Sequence, residues 1–124
     1  MNVKMGIDSV EISRIEDALK TAGFAKRVFS EREREYFEAH GMKPQSIAGA
    51  WCAKEAFSKA MGQGVSGFSL AEVEVLHDEL GKPYYSLLGA AAELAEKKGV
   101  ISLDLSITHD RTKAFAVAVC LTED

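Results

Sequence analysis

The chain has 124 residues and a mass of 13.5 kDa, which predicts a single domain over residues 1–124 with a core of its own. A formal net charge of −4 excludes a general nucleic-acid-binding protein, because such proteins carry a basic surface. No apolar run approaches membrane-spanning length and residues 1–10 lack the apolar region of a signal peptide. We therefore expect a cytoplasmic protein with no membrane partner.

The chain begins with a predicted strand and a predicted helix. Residues 3–12 contain β-branched side chains and alternate in the manner of a strand. Ser13 is the expected N-cap of a helix over residues 14–21, which stops near Gly23.

Two further helices are predicted before the middle of the chain. Ser30 opens one of them, because Glu33 three positions later completes a capping box, and Gly41 closes it. Pro44 suits the first turn of the next helix, which extends to about Met61.

The second half of the chain predicts two antiparallel hairpins separated by a helix. Strands are expected at 71–77 and 84–88, joined by the turn residues 78–83, and a helix at 90–98. The last hairpin pairs 101–108 with 114–121. One face of its second strand carries only small residues, namely Ala114, Ala116, Ala118 and Cys120. That face favours close packing by a helix, and the sum is an α+β fold with helices packed on an antiparallel sheet.

The third helix has two distinct faces at 100° per residue. Small residues form one stripe, which lets the helix approach a neighbour closely: Gly49, Ala53, Ala56 and Ala60. Trp51, Glu55 and Lys59 lie on a different flank, one turn apart. On spacing alone, Glu55 and Lys59 could be a surface ion pair worth about 0.3–0.5 kcal/mol.

Several residues together suggest a site that handles phosphate. Asp8 interrupts a predicted strand, where aspartate is uncommon, and could act with Glu55 on a hard divalent cation. Cationic or hydrogen-bonding groups that can bind phosphate lie on three separate elements, namely Lys54, Lys59, Lys82 and His109. Gly62 and Gly64 follow the third helix, where a backbone could approach a ligand closely.

Residues 13–34 hold six basic and four acidic side chains, although the whole chain is acidic. Such a region fits an acidic protein partner or a phosphorylated ligand, while the alternative is a solvated helix face with i,i+4 pairs. Cys52 and Cys120 lie in apolar stretches without metal-ligand spacing, so we interpret them as reduced core thiols.

The sequence resembles the holo-acyl-carrier-protein synthases, the small bacterial phosphopantetheinyl transferases. The matching segments follow the order of that family over nearly the whole chain: GIDSVEISRI (6–15), FSERE (29–33), AGAWCAKEAFSKAMGQG (48–64), GKP (81–83) and SITHD (106–110). The resemblance implies transfer of the 4′-phosphopantetheine arm of coenzyme A to a serine of apo-acyl carrier protein. It also implies dependence on Mg²⁺ and a homotrimer with active sites between subunits.

The resemblance assigns roles to individual residues. Asp8 and Glu55 match the family's metal-binding carboxylates, and Glu55, directly or through a water, is the expected base for the serine hydroxyl. Lys59 matches the lysine beside the pyrophosphate. Further contacts to coenzyme A are expected from Lys54, Gly62, Lys82, Pro83, Ser106 and His109. Arg14 and Arg27 are the expected contacts to the acidic carrier protein.

One position departs from the family pattern. Many members carry arginine where this chain has Ala50, and Lys54 one turn further along is the expected substitute for that phosphate contact. Two other functions stay open from the sequence. One is a coenzyme A or phosphonucleotide-binding module without turnover, and the other is a structural protein whose Glu55 and Lys59 form only a surface pair.

Overall fold

The strands form two antiparallel sheets, one in the order β1-β5-β4 and the other formed by β2 and β3. The computed structural model describes residues 1–123. The strands are β1 (Asn2–Glu11), β2 (Val73–His77), β3 (Pro83–Leu87), β4 (Val100–His109) and β5 (Lys113–Thr122). The helices are α1 (Ile12–Leu19), α2 (Phe24–Val28), α3 (Glu31–Ala39), α4 (Pro44–Ala60) and α5 (Gly89–Lys97). The α+β prediction is confirmed.

The small face of β5 lies at the centre of the core. Its residues Ala114, Ala116, Ala118 and Cys120 are all buried. From β4, Leu105 and Ile107 lie on the same side of the sheet, since they pair with Ala118 and Ala116. The long helix α4 covers this side, and the Cys52 thiol on α4 donates to the Ala114 carbonyl at 3.5 Å. The predicted packing of a helix on the alanine face is confirmed.

A close contact between α4 and the sheet lies at Gly6 on β1. A Cβ atom at this position would collide with the Ala56 carbonyl oxygen and lie 2.7 Å from the Ala60 amide nitrogen. Gly6 is buried, so the strand and the helix meet backbone to backbone here. This contact places the residues that follow Gly6 on β1 directly beside α4.

The opposite face of the three-stranded sheet, which we call the outer face, is apolar and exposed. Val3, Met5 and Ile7 on β1 are 63%, 64% and 67% exposed, and Val119 on β5 is also exposed. The outer face therefore presents a row of large apolar side chains that the chain itself does not cover.

Within residues 1–123 no helix is long and apolar enough to cross a membrane.

The predicted helix ends are mostly confirmed. Ser30 and Glu33 form the expected capping box at the start of α3, and Pro44 lies in the first turn of α4. The N-cap predicted at Ser13 is wrong, because α1 starts directly after β1 with Glu11 as its N-cap. The Ile12 amide donates to the Thr112 carbonyl at 2.8 Å, which anchors the start of α1 beside the β4–β5 connection.

Two short elements were not predicted. The five-residue helix α2 follows Gly23, which has φ of +85°. A 3₁₀ turn at Leu70–Glu72 occupies the start of the strand predicted at 71–77. Ser69 and Glu72 form a capping box around this turn, and a capping box favours a helical turn over an extended strand.

We predict that Gly6→Ala lowers the free energy of unfolding by about 3 kcal/mol, because backbone atoms of α4 cannot yield to the new methyl group. Chemical denaturation measures the loss. Gly49→Ala is the matched control, since its Cβ would meet the Ile107 side chain instead of backbone. The control should lose clearly less stability, and equal losses would contradict the prediction.

Candidate functional site

Asp8 and Glu55 interact electrostatically where β1 packs on α4. Asp8 pairs with Ala116, so its side chain projects from the sheet toward α4. Burial raises the pKa of Glu55 above its ordinary value, and the negative charge of Asp8 raises it further. The two carboxylates, 47 positions apart in sequence, therefore belong to one site.

Lys59 joins this pair from the next turn of α4. Its ammonium group donates to the Ile7 carbonyl at 2.9 Å and to Asp8 Oδ1 at 3.2 Å. The Lys59 side chain is 56% exposed, so it can still reach a ligand. The surface pair of Glu55 with Lys59 that the spacing allowed is not among the ion pairs of residues 1–123, because Lys59 pairs with Asp8 instead.

The second carboxylate oxygen of Asp8 is available to bind a ligand. Oδ2 is buried and has no hydrogen-bond partner within the described chain, and the side chain as a whole is 14% exposed. A cavity of about 350 Å³ adjoins this point and is lined by Asp8, Lys59, Ile7, Ser9 and Phe115. A buried, unpaired carboxylate oxygen beside a second carboxylate fits a hard divalent cation.

Two carboxylates of the described chain are available for such a cation. Residues 1–123 contain no group of three or more His, Cys, Asp or Glu side chains placed to hold a metal. A pair is nevertheless sufficient for Mg²⁺, which usually keeps several waters and takes its other ligands from substrate phosphates. The structure is therefore compatible with the two-carboxylate ligand set implied by the resemblance.

The Cys52 thiol lies one turn before Glu55, beside the same site. Burial, followed by the negative charges of Asp8 and Glu55, raises the pKa of Cys52 to about 12. A thiol in this environment stays protonated at neutral pH and is a poor nucleophile. Cys52 and Cys120 are both free and buried, in agreement with their interpretation as core thiols.

Lys54 does not lie at this site, which corrects its predicted contact with coenzyme A. Its side chain is fully buried and donates to Glu33 Oε1 at 2.6 Å and to the Leu70 and Val73 carbonyls. Desolvation lowers the pKa of Lys54 and raises that of Glu33, while their mutual attraction opposes both shifts. Lys54 therefore cannot replace the phosphate contact absent at Ala50, which is itself buried.

A helical pattern in the sequence could have revealed the burial of Lys54. Ile47 and Phe57 lie seven positions before and three positions after it, so all three share one stripe of α4. Ile47 and Phe57 are both buried. A lysine on an apolar stripe is better interpreted as a partner of a buried acid than as a ligand contact.

Lys82, Pro83 and Ser106 are not adjacent to Asp8 within one chain. Ser106 pairs with Val117 and lies on the outer face, whereas Asp8 pairs with Ala116 and faces α4. Lys82, in the turn before β3, donates to Asp104 Oδ1 at 3.0 Å. Asp104 pairs with Val119 and also lies on the outer face.

His109 and Gly62 lie at two further locations. His109 ends β4 and lines an exposed cleft of about 510 Å³ together with residues of α1, α4 and the β4–β5 connection, including Arg111. Gly62 follows α4 with φ of +77° and lines a separate groove of about 400 Å³ that also contains Lys4 and Lys98. One chain thus distributes the predicted coenzyme A contacts over several surfaces.

Arg14 and Arg27 are both exposed, on α1 and α2. The basic region that contains them is partly neutralised by one of its own acids and by an acid of β2. Lys20 lies 3.6 Å from Asp17, and Arg32 lies 2.7 Å from Glu74. Arg14 and Arg27 are absent from the ion pairs of residues 1–123, so their charges face solvent.

Comparison with known proteins agrees with the resemblance found in the sequence. Residues 4–120 match the family model of the 4′-phosphopantetheinyl transferase superfamily. A holo-[acyl-carrier-protein] synthase of Clostridium acetobutylicum is 46% identical over 116 residues, which cover 93% of this chain and 94% of that protein.

Solved structures show the same fold. The ACPS–CoA complex of Chronobacterium ammoniagenes aligns with a TM-score of 0.87 and 34% identity, covering 100% of both chains. The holo-[acyl-carrier-protein] synthase of Helicobacter pylori in complex with coenzyme A aligns with a TM-score of 0.83 and 32% identity, covering 94% of this chain and 99% of that one. With nearly the whole chain matched in sequence and in fold, it belongs to the 4′-phosphopantetheinyl transferase superfamily.

Proposed function

We propose that this protein transfers the 4′-phosphopantetheine group of coenzyme A to a serine hydroxyl of an apo-acyl carrier protein and releases adenosine 3′,5′-bisphosphate. The observation that carries the proposal is the meeting of Asp8, Glu55 and Lys59 at the contact between β1 and α4. The relatives named holo-[acyl-carrier-protein] synthase, and the coenzyme A complexes of two of them, support the same reaction.

Asp8 and Glu55 are the proposed ligands of Mg²⁺. Burial and then the negative charge of Asp8 raise the pKa of Glu55, and Lys59 opposes this shift. Two carboxylates beside a diphosphate would repel it unless a cation intervenes. When held by Asp8 and Glu55, Mg²⁺ would supply the positive charge that neutralises the phosphates of coenzyme A and the departing phosphate.

The chain's own residues supply the proton transfer and part of the charge stabilisation. The serine oxygen forms a bond to the phosphorus next to pantetheine, and the P–O bond to the nucleotide phosphate breaks. Glu55 accepts the serine proton, directly or through a water. Lys59 stabilises the negative charge that develops on the leaving phosphate.

The nucleotide end of coenzyme A is the proposed ligand of Lys82, Pro83, Ser106 and His109, with Gly62 on the approach from α4. Ser106 and Lys82 lie toward the outer face, away from Asp8 on the same chain. A single coenzyme A can contact both groups if a neighbouring copy supplies one of them. This arrangement supports the shared active sites that the resemblance implies.

We propose a homotrimer that buries the outer face of the sheet. Val3, Met5 and Ile7 form a continuous exposed apolar row on β1, and rows of this kind mark interaction surfaces. A location in the cytoplasm, expected from the sequence, stays a prediction.

The trimer predicts that Met5→Glu dissociates the protein and abolishes transfer, because a buried charge disfavours the interface and each site needs two chains. Light scattering after size-exclusion chromatography measures the molar mass. Leu80→Glu is the control, since Leu80 is 96% exposed in the β2–β3 turn and outside the outer face. A Met5→Glu protein that keeps the wild-type mass would contradict the trimer proposal.

Arg14 and Arg27 are the proposed contacts to the acidic carrier protein. Their exposed charges on adjacent helices would speed the encounter with an acidic partner and make it sensitive to salt. This assignment favours a binding role for the basic region over a merely solvated helix face.

Arg14→Glu is expected to raise the KM for carrier protein by about tenfold while leaving the KM for coenzyme A unchanged. Lys97→Glu makes the same charge change on α5 and should leave both constants unchanged. A rise in the KM for coenzyme A alone would contradict the assignment of Arg14 to the carrier protein.

The proposed function is tested by incubating the protein with Mg²⁺, coenzyme A and an apo-acyl carrier protein. Intact-mass spectrometry should show a gain of one phosphopantetheine on the carrier, and chelation of the metal should prevent it. Binding of coenzyme A without this mass gain would support the alternative of a binding module without turnover.

Glu55→Gln should lower the turnover number by about 10²–10⁴-fold, because the amide can neither accept the serine proton nor provide a charged metal ligand. The same mass assay measures the initial rate at saturating Mg²⁺. Circular dichroism should show an unchanged fold, since Gln has nearly the same shape and the Glu55 side chain lies at a partly exposed position. A wild-type initial rate would refute the role assigned to Glu55.

A further inference from the structure

A fully buried ion pair lies on the side of α4 that faces away from the sheet. Lys54 and Glu33 are both 0% exposed, and Lys54 Nζ lies 2.6 Å from Glu33 Oε1. The same ammonium group donates to the Leu70 carbonyl at 2.9 Å and the Val73 carbonyl at 2.8 Å. All three of its protons are therefore used, and none is available to a substrate.

The Glu33 carboxylate extends the attachment to two more elements. Its Oε1 accepts from the Ser30 amide at 2.9 Å, and its Oε2 accepts from the Val75 amide at 3.0 Å. Glu33 thus belongs to the first turn of α3 and binds the backbone of β2. Through Lys54 and Glu33, one point of α4 is hydrogen-bonded to α3, to the 3₁₀ turn and to β2.

This point immediately precedes the proposed base. Lys54 and Glu55 are consecutive on α4 and so point about 100° apart around the helix axis. The next residue, Ala56, contacts Gly6 on β1 through its backbone. The helix is therefore held on both sides of Glu55, by hydrogen bonds at Lys54 and by close packing at Ala56.

The hydrogen bonds at Lys54 and the packing at Ala56 restrict different movements of α4. Packing of small residues fixes the distance between α4 and the sheet but tolerates some rotation, because apolar contacts are non-directional. Hydrogen bonds from one ammonium group to three separate acceptors are directional and allow only a narrow range of helix rotation. The direction in which Glu55 projects depends on that rotation.

We propose that Lys54, held by Glu33, is a positioning residue that sets the rotation of α4 so that the Glu55 carboxylate faces Asp8. Its catalytic consequence rests on the proposed function, whereas its effect on a cation held by Asp8 and Glu55 can be measured without any transfer reaction. Lys54 acts through Glu55 and touches neither substrate nor metal.

The test compares wild-type protein with Glu33→Gln/Lys54→Met, which removes both charges of the pair together. Lys54→Met alone and Glu33→Gln alone are unsuitable, because each leaves one buried charge without its partner and can unfold the protein. Mn²⁺ is the probe, since it prefers the same oxygen ligands as Mg²⁺ and its free form is counted directly by electron paramagnetic resonance. Titrations are made with coenzyme A present, and binding by coenzyme A alone is subtracted.

The double variant is expected to stay folded and to bind Mn²⁺ about tenfold more weakly, with kcat lowered and the KM for carrier protein unchanged. Arg32→Met/Glu74→Gln is the matched control, because it removes both charges of a pair whose carboxylate is also buried. It removes the neighbouring ion pair between α3 and Glu74 of β2, at 2.7 Å, without touching α4.

Unchanged Mn²⁺ affinity in the folded double variant would overturn the inference, and so would an equal loss in the Arg32→Met/Glu74→Gln control. Wild-type protein that binds Mn²⁺ but transfers no phosphopantetheine would overturn the proposed function instead. In that case weaker Mn²⁺ binding by the double variant would still support the positioning role.

Discussion

The whole structure depends on the close approach of α4 to the three-stranded sheet. Gly6 lets the backbones of β1 and α4 touch, and the alanine face of β5 lets the helix lie flat against the central strand. Larger side chains at these positions would separate the layers, since protein interiors are too densely packed to absorb them. Because Asp8 lies on β1 and Glu55 lies on α4, the packing of this helix on this strand also brings the two carboxylates together.

The packing of β1 on α4 also brings the negative charges of Asp8 and Glu55 together, which is unfavourable for folding by itself. The raised pKa of Glu55 and the Oδ2 of Asp8, unpaired within the described chain, are both unfavourable in a protein without ligands, and Lys59 compensates them only in part. Such local conflicts are expected at functional sites, where a ligand completes the interactions. The buried pair of Lys54 with Glu33 differs in kind, because every one of its strong donors is satisfied inside the protein.

Local signals in the sequence predicted much of the fold. The capping box of Ser30 and Glu33, the proline at the start of α4 and the alternation along β5 each depend on a few neighbouring residues, and all three are confirmed. The start of α1 was not predicted, because it depends on a long-range bond from Ile12 to the β4–β5 connection. For the site, the resemblance suggested Asp8, Glu55 and Lys59, whose meeting needs the tertiary contact. Lys54 was misplaced because its partner Glu33 lies 21 positions away on another helix.

The two faces of the central strand β5 pack against different surroundings. Its small residues, such as Ala116 and Ala118, lie under α4, while the alternating large residues, such as Val117 and Val119, belong to the outer face. A one-residue insertion or deletion within this strand would exchange the two sets, placing valines against the helix and alanines outward. Such a slip would damage the core and the outer surface in a single step. The length of β5 should therefore tolerate far less variation than that of the loops on either side of it.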